Sequence, residues 1–235
     1  MSPLLTFISD ESLLSASKKL IDAVTNAHEH AGDNPYRNVI DPFSALFDAA
    51  YHGISLEDWM DQEIVRQVQK SLQNALGEFH QNILGSMPGW RNAQRGGSYD
   101  VINTDLKLIA EIKNKHNTMN SRSSLSVYDN LHRHLDYGLE SYKAYLVAII
   151  PASPELYETP FTPSERGQRR QERDDIVKID GQSFYNLASG EPDALRQLYQ
   201  VLPEILGRML ENGSARISGS PLFSDLFNRA FGLLQ

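Results

Sequence analysis

The sequence predicts an α/β protein with a helical N-terminal part, on three observations. Residues 1–90 place their apolar side chains mainly at helical spacing. Two β-branched, apolar stretches, 98–113 and 144–150, are bounded by turn residues and read as a hairpin and a buried strand. Between them, 125–142 returns to a helical repeat, and hairpin, helix, strand is the order of an α/β core with a crossover helix. The 235 residues suffice for one large domain. The expected parts are a helical stretch 1–90 packed on a core 91–213, with a tail 214–235.

Taken in order, residues 4–31 form a first helix, capped near Ser9-Asp10-Glu11, with Leu13, Leu14, Leu20, Ile21 and Val24 inward. His28 and His30 are two apart, do not face each other, and make no metal pair. Asp41 is a good N-cap, with Pro42 at the first helical position. Phe43, Leu46, Phe47 and Ala50 give that second helix an apolar face, and Gly53 stops it. A third helix runs from Ser55 to about Leu84 and carries Glu78 near its end, where packing on the hairpin would deliver it to the site. Arg91 to Gly97 is a polar, basic loop. After the hairpin a helix is expected from Leu125 to Tyr142, then a buried strand, Ala144 to Ile150, ended by Pro151. Ile176 to Ile179 is a further strand, Asp180-Gly181 a turn, and Ser183 the cap of Phe184 to Leu187. A last helix covers 191–211 with Pro203 as a kink, and Leu222 to Leu234 is apolar enough to pack or dimerise.

The chemistry concentrates in Ser98 to Asn117. Glu111 and Lys113 lie at i and i+2 of the second hairpin strand, so they share a face roughly 7 Å apart. With a loop of two residues (Thr104, Asp105) or four (Asn103 to Leu106), Ile102 pairs with Lys107 and Asp100 with Ile109. Asp100 then joins the Glu111 face about 7–8 Å away on the diagonal. An odd loop would reverse the parity. Two carboxylates on a buried strand need compensation. A hard cation such as Mg²⁺, which takes one or two carboxylates, waters and phosphate oxygens, supplies it. A neighbouring lysine can hold the attacking water or offset transition-state charge, the requirements of phosphodiester hydrolysis.

Composition narrows the field. The formal charge of −8 argues against non-specific coating of nucleic acid, though not against a local basic cleft. Donor-rich residues follow the hairpin directly: Asn114, Lys115, His116, Asn117 and Arg122 suit phosphates and base edges. The strongest basic cluster is Arg166, Arg169, Arg170 and Arg173, a second set of phosphate or guanine contacts. No cysteine is present, so disulfides and thiolate zinc sites are excluded. No run approaches the roughly 18 apolar residues of a membrane span. Acids stand early at the N-terminus without a basic stretch before an apolar run, so a secretory leader is not expected and the cytoplasm is. P-loop, dinucleotide and Gly-x-Ser-x-Gly motifs are absent.

The blocks NVIDPFSALFDAAYHGISLEDW, QKSLQNALGEFHQNILGSMPGW, IAEIKNKHNT and PFTPSERG…IVKIDGQSFYNLASG together resemble the type II restriction endonucleases that recognise GGNCC, over roughly residues 5 to 210. The resemblance implies the PD-(D/E)xK nuclease fold, a restriction-endonuclease-like core with a mixed central sheet flanked by helices. It also implies a homodimer on double-stranded DNA in a bacterial or archaeal cell, beside a companion DNA methyltransferase. Asp100 and Glu111 would ligate Mg²⁺, the Ile112 carbonyl would add a ligand, and Lys113 would serve the water. Tyr99 stands where the motif usually has proline. Two other readings stay open from the residues: a nuclease selective for DNA structure, and a DNA-binding module of this fold without catalysis.

Overall fold

The apolar runs pair into one mixed sheet in this computed structural model, which describes residues 3–33, 36, 38–93, 97–210 and 217–232. The strands are β1 (Trp90–Asn92), β2 (Val101–Asn103), β3 (Leu108–Lys115), β4 (Lys143–Ile150), β5 (Glu158–Pro160), β6 (Ser164–Glu165), β7 (Gln168–Arg169) and β8 (Ile176–Asp180). Six of them form the sheet in the order β1-β2-β3-β4-β8-β5, while β6 and β7 make a separate hairpin. β1, β2 and β3 are an antiparallel meander, β3, β4 and β8 run parallel, and β5 closes the edge antiparallel to β8. The helices are α1 (Asp10–Asp33), α2 (Pro42–His52), α3 (Leu56–Leu84), α4 (Ser121–Asp136), α5 (Gly181–Ser189), α6 (Ala194–Met209) and α7 (Pro221–Phe231). Residues 1–17 and 80–235 group into a sheet unit and 18–79 into a helical unit.

In the sheet unit, β4 is buried at all six positions from Ala144 to Ile149, because helices cover both of its faces. On one face α4 brings Tyr128, Leu131 and Leu135 against Ile109, Ala144, Leu146 and Ile176. On the other, Phe184 of α5 meets the rings of Tyr145 and Trp90 edge-on or tilted, and the Trp90 indole donates to the Ala188 carbonyl at 3.1 Å. The end of α3 is fixed there too: His80 and the Tyr185 hydroxyl are 2.7 Å apart, and burial lowers the His80 pKa to about 4.

Several expected boundaries move for identifiable reasons. α1 starts at Asp10 because the Ser9 hydroxyl accepts from the Ser12 N–H at 3.1 Å, while Leu5, Phe7 and Ile8 are buried as irregular chain. α4 starts at Ser121 because the Asn120 side chain caps it. Asp180 and Gly181 do not form a free turn. Asp180, 1 % exposed, caps α5 by accepting from the Ser183 N–H, and its other oxygen accepts from the Tyr157 N–H. Pro203 lies buried inside α6, which the first-turn exemption does not explain. Gln94 to Gly96 of the basic loop, and the last residues of the apolar tail, fall outside the described residues.

In the helical unit α2 has its expected caps, Asp41 and Gly53 (φ 65°), but not its expected inward face. Ala45 and Ala49 pack on Trp59, and the large residues Phe43, Leu46 and Phe47 point outward. Small side chains let α2 approach Trp59, whose indole donates to Asp48 at 2.8 Å.

Gly181 is where α5 meets β4. A Cβ there would stand 2.3 Å from the Ile149 carbonyl oxygen and 2.7 Å from its Cα. Gly181→Ala is therefore expected to cost about 1–3 kcal/mol by forcing a backbone shift, read as a lower midpoint in urea unfolding.

Candidate active site

The β2–β3 hairpin sets the geometry. Val101 pairs with Ala110, Ile102 with Ile109 and Asn103 with Leu108, leaving residues 104–107 as the loop. This is two residues away from the expected pairing of Ile102 with Lys107, and the cause is Asn103. Its buried side chain accepts from the N–H groups of Asp105 and Leu106 at 3.1 and 2.9 Å, which places the turn one residue later and puts Lys107 in the left-handed region (φ 55°). The loop remains even, so the parity survives. The paired register ends at Val101 and Ala110, and Asp100, just before β2, bonds to the same Ala110 through its N–H.

Three contacts hold the group together. The Asp100 N–H donates to the Ala110 carbonyl at 2.8 Å. The Ile112 N–H donates to Asp100 Oδ2 at 2.7 Å. Lys113 Nζ lies 2.6 Å from Glu111 Oε1, with the two side chains 29 % and 15 % exposed. Burial, then the Glu111 charge, push the Asp100 pKa up to about 6, against the pull of the Ile112 N–H, Lys113 and a hydrogen bond from Gln81. An acid held this way lacks positive charge in its surroundings.

That deficit fits a divalent cation. Among the described residues no cluster of three or more His, Asp or Glu side chains could hold a metal. Asp100 and Glu111 offer two carboxylates, the number Mg²⁺ commonly takes from protein.

The other expected residues are distributed as follows. Asn114 and Lys115 end β3, His116 and Asn117 form the exposed loop after it, and Arg122 is exposed in the first turn of α4. Arg166 and Arg169 are exposed on the β6–β7 hairpin. Arg170 instead makes a two-pronged ion pair with Asp129 of α4, at 2.8 Å for both contacts. Arg173 bridges Asp136 and Asp175 at 2.7–2.8 Å, which holds its pKa well above the usual range. Glu78 belongs to the helical unit. Gln81, three residues later on α3 and within the sheet unit, is the side chain that reaches Asp100. The sequence offered one signal for it, the i, i+3 spacing from Glu78 on an otherwise unremarkable Gln/Asn-rich helix.

An acid and a lysine on the central strand β3, with a second acid held against it from the start of the hairpin, in a mixed, helix-flanked sheet, belong to the restriction-endonuclease-like class. The Eco47II restriction endonuclease family model matches residues 5–211. The type II restriction enzyme Eco47II of Escherichia coli is 39% identical over 98% of both chains. The type II restriction enzyme Sau96I of Staphylococcus aureus is 31% identical over 96% of this chain and 89% of its own. This chain belongs to the Eco47II restriction endonuclease family, and is by that membership a type II site-specific endonuclease. No described helix is long and apolar enough to cross a membrane.

A raised Asp100 pKa has a defined sign for stability. The folded chain binds this proton more tightly than the unfolded chain, so the stabilisation is complete at low pH and is lost as pH rises through about 6. Asp100→Asn should therefore raise the cation-free thermal stability at pH 8 by roughly 1–2 kcal/mol, discounted for partial exposure, and by little at pH 4. Mg²⁺ should stabilise the parent chain more than the variant. Parallel melting curves at the two pH values check both.

Proposed function

We propose that the chain hydrolyses both strands of double-stranded DNA at GGNCC with Mg²⁺, leaving 5′-phosphate and 3′-hydroxyl ends. The observation that carries this reading is Glu111 and Lys113 side by side on β3 with Asp100 bonded to the Ile112 N–H between them, in a chain of this family. Asp100 and Glu111 are the cation ligands, with the Ile112 carbonyl as a further one. When bound, Mg²⁺ polarises the phosphoryl oxygen and lowers the pKa of attacking water. Lys113 orients that water and offsets charge on the phosphorus as the P–O3′ bond breaks and the 3′ oxygen leaves with a proton. Gln81 holds Asp100.

DNA recognition falls to local basic segments, since the net charge of −8 opposes a general electrostatic grip. Asn114, Lys115, His116, Asn117 and Arg122 run from the end of β3 into α4 and contact DNA beside the scissile bond. Arg166 and Arg169 reach it from the hairpin, which Arg170 and Arg173 anchor through their acids. One site per chain and a two-fold DNA sequence call for a homodimer. A companion methyltransferase protects the host sites in the bacterial or archaeal cytoplasm.

Digestion of unmethylated phage DNA with Mg²⁺ or EDTA, followed by sequencing of the ends, tests the whole reading. Discrete Mg²⁺-dependent fragments ending within GGNCC are expected. A smear would indicate selection of DNA structure, and bound but uncut DNA a non-catalytic module. Lys113→Ala should lower the cleavage rate by about 10²–10⁴-fold while leaving DNA affinity within a few-fold. Arg166→Ala with Arg169→Ala should weaken binding and reduce the slope of log K against log salt by about 1–2, measured by fluorescence anisotropy.

A further inference from the structure

α2 is built inside out. Its inward positions are Ala45 and Ala49, and its outward positions carry the bulk: Phe43, Leu46, Phe47 and Tyr51 are 71%, 57%, 73% and 86% exposed. These four recur at i, i+3, i+4 and i+8 and so occupy one stripe. Val39, 99% exposed just before the cap, extends it by a turn. A helix that needed only to fold on Trp59 would gain nothing from three exposed aromatic rings.

We propose that this α2 stripe is the surface on which a second copy of the chain docks, two-fold, α2 against α2. The inference rests on the reading above, in which two copies act on the two strands of a palindrome. Three features commit the face to that occupant. The first is size. Aromatic side chains bury about 150–250 Å² each, so the five residues offer on the order of 700–800 Å². That is about one partner's share of a standard interface, and more than the roughly 300–600 Å² patch usual on a monomer. The second is charge. On a chain of net charge −8 most surfaces repel their own copy, but the stripe itself carries no charge. The charged groups on α2, Asp48 and His52, are 3.4 Å apart, and Asp48 also meets Arg66 at 3.7 Å and the Trp59 indole, so both are matched at the rim. The absence of Lys or Arg from the stripe also makes it unsuitable for phosphates. The third is shape. Phe47 and Tyr51 wall a depression floored by Trp59 and closed by Arg66, whose guanidinium lies 4.9 Å over the indole. In an isologous contact each copy offers both ring and depression, so a partner's aromatic side chain on α2 fills the recess while its own recess is filled in return.

The test is the solution mass of the full chain by analytical ultracentrifugation, without DNA, for the parent and for the double variant Phe43→Glu, Phe47→Glu. The parent should sediment at twice the chain mass and the variant at a single chain mass, with an unchanged circular dichroism spectrum. In cleavage assays the variant should nick single strands in place of cutting both. A parent of single-chain mass overturns the proposal, and so does a folded variant that keeps the doubled mass. If the variant fails to fold, cross-linking decides. The chain has no cysteine, so Phe47→Cys with a short bis-maleimide should link two copies, whereas Leu226→Cys on the separate apolar helix α7 should not. Linkage through Leu226→Cys alone places the dimer elsewhere and refutes the α2 face. The nuclease reading fails separately, if the parent chain does not cut unmethylated DNA whatever its mass.

Discussion

One backbone hydrogen bond, from the Ile112 N–H to Asp100 Oδ2, does most to define the site. It fixes a carboxylate from the β2 side of the hairpin to the long central strand that carries Glu111 and Lys113. Without it Asp100 would be free to turn toward water, where its charge is better solvated. With it the acid stays in surroundings that raise its pKa to about 6. The acid is thus held in a state that is unfavourable for the chain alone and that a bound cation would relieve, an arrangement common at functional sites and one that costs the fold some stability.

The rest of the sheet unit keeps that hairpin from moving. β3 is paired on both sides, antiparallel to β2 and parallel to β4. β4 in turn is enclosed by α4 and α5, so a slip of β3 would unseat apolar residues on two layers. Asn103 adds a local constraint, since its side chain satisfies two loop N–H groups and so fixes where the turn begins.

Much of this was legible before any coordinates. The acid–lysine set needed only the period of a strand and an even loop, and both hold. The actual register differs by two residues because a propensity argument does not weigh an Asx-turn at Asn103 against a tighter loop. What sequence could not give was partnership across long separations. Four arginines in one run look alike, yet Arg170 and Arg173 are matched to acids on α4, 41 and 37 residues away. Gln81 was equally hidden, since its contact with Asp100 depends on how α3 ends against the sheet. α2 misled for a different reason. Periodicity identifies the apolar stripe of a helix but not whether the stripe faces its own core.

The two arginine pairs also bear on how such proteins diverge. Asp129 and Asp136 stand seven residues apart, two turns along the same side of α4. The hairpin they receive is therefore not an independent module. A lineage that exchanged residues 164–173 for a different loop would strand two aspartates, or two arginines, unless α4 changed with it. The exposed tip at Arg166 and Gly167 is under no such constraint and can change while the anchored base of the hairpin stays as inherited.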